Sequence, residues 1–159
     1  MRRAVAKIKK MKPRKRPISL ETDVYRKLWE LEHKAYLRAH AWKKSYRYTL
    51  IDEYRQHITF AKNAYITGFE MLVRYKEEKV QCYKASIGEL SIVESNMDHM
   101  MANDIGIMSE KEWAENAILI DSIRVGLARL INSLNANGTG GSESLNLGTE
   151  SASAGNKDA

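Results

Sequence analysis

Apolar and polar residues alternate along this chain with a period of three to four positions, in four blocks between Ile18 and Leu134. This spacing is typical of amphipathic α-helices. No proline interrupts the stretch, so nothing in it forces a helix to break. Four apolar stripes joined by short connections can close on one another and exclude water. The pattern predicts an all-α protein, an up-down-up-down antiparallel four-helix bundle.

The sequence also predicts where these helices begin. Ser19 is expected to cap the first helix and Thr49 the second, because a side-chain hydroxyl can accept a hydrogen bond from a free backbone N–H. The third helix begins near Lys76, and Ser109 with Glu112 forms a capping box for the fourth. The predicted inward positions are Val24, Leu28, Leu31, Ala35, Ala39 and Trp42; Leu50, Tyr54, Ile58, Ala61, Tyr65, Gly68, Leu72 and Tyr75; Val80, Tyr83, Ile87, Leu90, Val93, Met97 and Met101; and Trp113, Ala117, Ile120, Ile123, Leu127, Leu130 and Leu134.

Two features of the sequence go beyond one apolar stripe on each helix. Gly68 is unfavourable in a helix by about 1 kcal/mol relative to alanine, so its place in the second stripe predicts a close helix crossing. Further apolar side chains lie off the stripes, and they leave open either a broad core face or self-association. These are Tyr25, Trp29, Tyr36, Ile51, Ile66, Phe69 and Val73.

Composition divides the chain into three parts. Residues 1–17 contain both prolines and are predicted to form a flexible basic arm, although Met11 could equally be the start and would shorten it. Residues 18–136 form the bundle. Residues 137–159 hold five of the nine glycines and are predicted to be a disordered Gly/Ser-rich tail.

The net charge of +6 conceals a gradient along the chain. Residues 1–16 carry nine basic and no acidic side chains. Residues 17–84 carry thirteen basic and nine acidic side chains, and residues 85–159 carry four basic and eleven acidic ones. Dense positive charge at one end favours binding of a polyanion through release of its counterions. The alternative is that the basic extension is simply a solvated tail.

Several classes of function are not indicated. The lone Cys82 cannot form an internal disulfide, and no stretch of about 18 apolar residues is present, so we expect a cytoplasmic protein with no membrane partner. Glu30 and His33 form one Glu-x-x-His motif, but a di-iron bundle needs two such motifs and further glutamates. No nucleophile motif is present. We therefore expect no cofactor, no metal and no enzymatic activity.

The best candidate for chemistry is the segment WKKSYRY at residues 42–48. Its interleaved cations and aromatic rings can neutralise phosphates and stack on unpaired bases. The alternative is an ordinary loop in which Trp42 and Tyr48 cap the core and the lysines face water. The predicted nucleic-acid-binding residues are Lys12, Arg14, Lys15, Arg16, Lys43, Lys44, Tyr46, Arg47 and Arg55. Further cations that could extend this surface, or simply be solvated, are Lys27, Lys34, Arg38 and Lys62.

The order of features also resembles a known family. A Lys-rich helix end is followed by RYTL at residues 47–50, which opens a long helix, and by DIGIMS at residues 104–109, which opens the last. Over residues 19–134 the chain resembles the four-helix-bundle family that contains accessory variability determinant proteins of diversity-generating retroelements and proteins encoded in intervening sequences of large-subunit ribosomal RNA. The RYTL motif favours the first branch.

This resemblance implies a homo-oligomer, typically a pentamer. It implies a basic surface that binds nucleic acid, namely RNA, DNA or an RNA/DNA hybrid, and docking on a reverse transcriptase. Such a protein would assist copying of a template RNA without being catalytic. The ribosomal branch would instead be a structural or protein-interaction bundle.

Overall fold

The computed structural model describes residues 17–139 of the 159-residue chain, and in this range it contains four long α-helices and no β-strand. The predicted arm and tail lie outside the described residues, apart from Pro17 and residues 137–139. Within the described range, no helix combines the length and the apolarity needed to cross a bilayer. The helices are α1 (Asp23–Ala39), α2 (Asp52–Glu70), α3 (Lys76–Met101) and α4 (Glu110–Thr139). Helix α4 thus includes the first three residues of the predicted tail.

The helices bury the predicted stripes against one another. Helix α1 packs against α2 and α4, and α3 packs against the same two helices. Removal of these apolar side chains from water is the main stabilising contribution to such a fold. The fully buried side chains come from all four helices and include Leu28, Leu31, Ile58, Tyr65, Leu90, Met97, Ile120 and Ile123.

The second stripe is shorter than predicted. Leu72 and Tyr75 are exposed and do not belong to the buried stripe. The reason is that α2 ends at Glu70, where the backbone of Met71 becomes extended with ψ of 144°. The apolar period continues past this point in the sequence, but the helix does not.

The N-terminus of α1 also differs from the prediction. Thr22 caps this helix, with its hydroxyl oxygen accepting a hydrogen bond from the backbone N–H of Tyr25 at 3.2 Å. Ser19 lies in a short 3-10 turn ahead of the helix, is buried, and donates its hydroxyl to Glu70 of α2. A serine three residues before the real boundary therefore serves as an interhelix contact, not as a cap.

Thr49 does not cap α2. Residues Arg47–Ile51 form one π-helical turn that continues directly into α2, so Thr49 lies inside helical backbone. Its hydroxyl donates back to the carbonyl oxygen of Tyr46 at 3.4 Å. The prediction was wrong because the helical stretch begins earlier than the α-helix itself.

A close helix crossing occurs where Gly68 of α2 meets α3, as predicted. A Cβ atom placed on Gly68 would lie 2.7 Å from the Cβ of Cys82 and 3.1 Å from the Tyr83 ring. One helical turn further along α3, the buried Ser86 donates its hydroxyl to the carbonyl of Ala61 at 2.8 Å. Small side chains therefore let the backbones of α2 and α3 approach each other closely.

The connection from α3 to α4 follows the predicted chemistry. Gly106 has φ of +56°, a conformation that glycine adopts without strain. Ser109 accepts a hydrogen bond from the backbone N–H of Glu112 at 3.1 Å, which is one half of the predicted capping box. The other half is not formed, because the carboxylate of Glu112 accepts hydrogen bonds from Arg38 instead.

The off-stripe apolar residues divide into two groups. Ile51 is buried, and Tyr25, Ile66 and Phe69 pack against the core, so for these four the broad core face is the correct interpretation. The exposed members are Trp29, Tyr36 and Val73.

Candidate nucleic-acid interface

The connection between α1 and α2 is held in place by a tryptophan. The backbone N–H groups of Ala41 and Trp42 both donate to the carbonyl of Arg38, which closes the end of α1. Trp42 turns inward, is only 5% exposed, and packs edge-on against Tyr54 with ring centroids 5.9 Å apart. The loop is therefore anchored in the core at its first residue.

Two cations follow this anchor directly. Lys43 and Lys44 are both exposed, and neither forms an ion pair with any residue in the described range. Lys44 begins a short 3-10 turn that ends at Tyr46. An anchored backbone with free ammonium groups suits phosphate binding, because little additional ordering of the chain is needed.

The two tyrosines of the loop differ from expectation in their burial. Tyr46 is half-buried and packs against the core, whereas Tyr48 is 86% exposed. The interpretation in which Tyr48 caps the core is wrong. Tyr48 lies in the π-helical turn that precedes α2. Its ring is the aromatic face in this loop that is open for stacking, and the list of predicted binding residues omitted it.

Five predicted binding residues cannot be placed by their side chains. Arg47 contributes backbone to the π-helical turn, and its side chain is outside the described atoms. Lys12, Arg14, Lys15 and Arg16 precede the described residues. All five remain predictions.

Arg55 lies in the first turn of α2, beside α1 rather than on the loop. It is half-buried, and its guanidinium carbon is 4.3 Å from the centroid of the Tyr36 ring. Its Nε atom is buried without a hydrogen-bond partner in the described range. This cation–π arrangement fixes the side chain, and Arg55 forms no ion pair with a carboxylate among residues 17–139.

Most other cations on α1 and α2 are paired with carboxylates. Arg38 binds Glu112 through two hydrogen bonds, Nε to Oε1 at 2.7 Å and Nη2 to Oε2 at 3.3 Å. Such pairs cancel much of the field that a phosphate would feel. The remaining pairs are Arg26 and Lys27 with Asp23, Lys34 with Glu30, and Lys62 with Glu32. These residues do not extend the free cationic surface of Lys43 and Lys44.

Helix α4 contributes little free positive charge to this surface. Arg124 donates to Glu94 at 2.7 Å and to Asp121 at 3.4 Å. The hydrogen bond with Glu94 is the main reason that the pKa of Arg124 is raised. Lys111 and Arg129 are exposed on the same helix.

The Glu-x-x-His motif is engaged in other contacts. Glu30 pairs with Lys34 at 3.4 Å, and the His33 ring stacks on Trp29 with centroids 4.6 Å apart. Across residues 17–139, His, Cys, Asp and Glu side chains do not come together in any group of three or more that could hold a metal ion.

Comparison of the sequence with protein-family models and with curated proteins finds no match. The resemblance to the accessory-determinant family therefore depends on the helix order and on two short motifs. In the structure, residues 47–50 lie in the π-helical turn before α2, and residues 104–109 form the turn before α4.

Proposed function

We propose that this protein is a non-catalytic nucleic-acid-binding accessory protein that assists a retroelement reverse transcriptase by binding the template RNA and the polymerase. The observation that carries the proposal is the anchored loop, in which two lysines without an ion pair and the exposed Tyr48 occur within six residues of chain. Elsewhere on α1 and α2, most cations already have carboxylate partners.

The loop has the two elements that single-stranded RNA binding requires. Ammonium groups displace counterions from the phosphates, and an aromatic face stacks on a base without selecting its identity. The basic residues 1–16 would add sequence-independent attraction along the same strand. RNA is the proposed ligand, with single-stranded DNA and an RNA/DNA hybrid as comparison ligands.

The proposal includes an up-down-up-down antiparallel bundle as the scaffold. Thr22, next to the start of α1, shares a 2.5 Å hydrogen bond with Tyr65 near the end of α2, while Trp42 beyond the end of α1 packs on Tyr54 near the start of α2. The same opposite order supports antiparallel packing of the other neighbours: Ala61 with Ser86 and Gly68 with Cys82; Asp98 with Trp113 and Ser91 with Arg124; and Lys27 with Ser122 and Arg38 with Glu112.

A homo-oligomer, a pentamer by resemblance, completes the proposal. Trp29 and Tyr36 are exposed seven residues apart on α1 and therefore share one face. Aromatic side chains on one helix face suit a subunit contact. The mass of the purified protein in solution, measured by light scattering, tests this part.

The test of function is the triple variant Lys43→Glu, Lys44→Glu and Arg47→Glu in the full chain. RNA affinity should fall, and the slope of log affinity against log salt should become shallower by about 2, since each neutralised phosphate of a single strand contributes about 0.7. Fluorescence anisotropy with a labelled RNA at several salt concentrations measures both quantities.

The matched control carries the same change in charge elsewhere on the molecule. Arg74, Lys84 and Arg129 are exposed and lie outside the loop, so their change to glutamate should affect RNA binding less. Equal binding by the loop variant and the native protein would remove the loop from the proposal.

A second candidate is a structural or protein-interaction bundle of the ribosomal intervening-sequence type. It is favoured by Ile118 and Val125, which are exposed on the same face of α4. In that case a partner such as the reverse transcriptase would make all contacts with nucleic acid. Association with the polymerase that survives nuclease and moderate salt would support this candidate.

A further inference from the structure

A cleft of about 440 Å³ lies between α1 and α4, at the same end of the molecule as the candidate loop. Its volume is within the range of small-ligand sites. Residues from the end of α1, the loop and the start of α4 line it. None of the predicted binding residues is among them, so the cleft is a separate feature of the molecule.

The floor of the cleft is aromatic and almost completely buried. Trp42, Tyr54 and Asn116 line the cleft and are all at least nine-tenths buried. The Nδ2 of Asn116 donates to the Tyr54 hydroxyl oxygen at 3.5 Å, and burial raises the pKa of Tyr54, so this hydroxyl keeps its proton. The indole Nε1–H of Trp42 is buried with no acceptor in residues 17–139.

One wall of the cleft is the guanidinium group of Arg38. The carboxylate of Glu112 grips Arg38 through two hydrogen bonds, and the Arg38 guanidinium carbon lies 5.8 Å from the centroid of the Trp42 ring. The Arg38 side chain is still 47% exposed. A planar base stacks on such a guanidinium, and Leu37 at the rim, 63% exposed, adds apolar surface beside it.

Side chains of both charges surround the cleft. Lys111 lines it, as does Lys34, which is already paired with Glu30, and the free Lys43 and Lys44 come directly after Trp42 in the chain. Glu115 also lines it and would repel a phosphate on its side. The arrangement suits a flat polar ring whose negative group lies toward the lysines.

We infer that this cleft receives the base of one unpaired nucleotide of the bound RNA, with the base stacked on Arg38 and the adjoining phosphates directed toward Lys43 and Lys44. This inference rests on the proposed RNA-binding function. A nucleotide fits better than an acidic peptide, because carboxylates would use the lysines but leave the exposed guanidinium face of Arg38 unused.

The first test is a titration of the full-length protein labelled with ¹⁵N at its indole groups. The chain has three tryptophans, and the Trp42 signal is assigned by its absence in Trp42→Phe. Uridine and adenosine monophosphate should move the Trp42 indole signal in a saturable way, whereas ribose 5-phosphate should not. The Trp113 signal is the internal control, because its N–H already donates to Asp98 at 2.9 Å.

The second test uses the exposed rim, where substitution does not disturb the core. Leu37→Ser should weaken binding of single-stranded RNA about tenfold, the order expected for one stacked base, while Val125→Ser, an equally conservative change at an exposed position of α4, should not. With an RNA in which abasic sites replace every base that could enter the cleft, Leu37→Ser and Val125→Ser should bind equally well. Glu115→Gln should strengthen binding.

The outcomes separate this inference from the proposed function. If Trp42 does not respond to either nucleotide and Leu37→Ser binds RNA normally, while the triple variant of the loop still loses binding, the cleft inference is wrong and the function stands. If ribose 5-phosphate moves the signal equally, or an acidic peptide does so when the nucleotides do not, base recognition is also overturned. If the native protein does not bind RNA at all, both the cleft inference and the proposed function are wrong.

Discussion

At the scale of single residues, the contact between α2 and α3 depends on the absence of one Cβ atom. Gly68 lies where a side chain would meet the Cβ of Cys82, an atom that cannot move without the backbone of α3. Gly88, by contrast, has no atom within 4 Å of the position a Cβ would take. The same residue type is therefore essential to packing at one position and dispensable at the other.

This difference gives a paired prediction. Gly68→Ala should destabilise the protein by about 1 to 3 kcal/mol, because overpacking forces the helices apart. Gly88→Ala should stabilise it by up to about 1 kcal/mol, because alanine favours the helix and meets no neighbour. Urea denaturation followed by circular dichroism measures both changes. A neutral or stabilising Gly68→Ala would contradict the close crossing.

At the scale of elements, the end of α2 is completed by a side chain of α3. The Nζ of the buried Lys79 donates to the carbonyls of Gly68 at 2.8 Å, Phe69 at 3.1 Å and Met71 at 2.9 Å. Burial lowers the pKa of Lys79. The last carbonyls of a helix lack partners within it, so this ammonium both satisfies them and opposes the negative end of the helix dipole.

We expect Lys79→Met to destabilise the protein by about 2 kcal/mol, since methionine keeps much of the apolar stem and loses the hydrogen bonds to a charged donor. The control is Lys84→Met, an exposed position on the same helix, which should change stability by less than about 0.5 kcal/mol. Thermal and urea unfolding compare the two. Equal stability of both variants would mean that water replaces Lys79 at these carbonyls.

At the scale of the whole molecule, positive charge is concentrated at the front of the chain and negative charge at the back. The arm carries nine cations and no carboxylate, whereas residues 85–159 carry an excess of seven negative charges. Many cations within the bundle are neutralised by carboxylates that are distant in sequence, as Arg124 is by Glu94. Among residues 17–139, the free positive charge is thus confined to the first loop and a few other positions, and the nine cations of residues 1–16 lie outside the described residues.

Neutralising the end of the arm should weaken RNA binding without affecting the bundle. With Lys12, Arg14, Lys15 and Arg16 changed to glutamine in the full chain, we expect the salt slope to fall by about 3, because four phosphate contacts are lost. The melting temperature should stay the same. An arm of the same composition in shuffled order is the control, since counterion release depends on charge and not on order; a loss of binding in the shuffled arm would indicate sequence-specific contacts instead.

Much of the bundle follows from the sequence alone. The helical period identified Leu31, Ile58, Leu90 and Ile123 as core residues, and all four are fully buried. The cap at Ser109 was equally predictable, because it depends on a hydroxyl and a backbone N–H only three residues apart. These features are local, so the order of residues contains the information needed to predict them.

Tertiary structure decided the features that depend on residues distant in the chain. Arg38 is paired because α4 brings Glu112 beside it, and α2 ends at Glu70 where Lys79 of α3 meets its carbonyls. The sequence left open whether Tyr48 caps the core, and the structure exposes it. Whether a charge is free and a ring is open depends on which groups pack beside it, and that is set only when the helices come together.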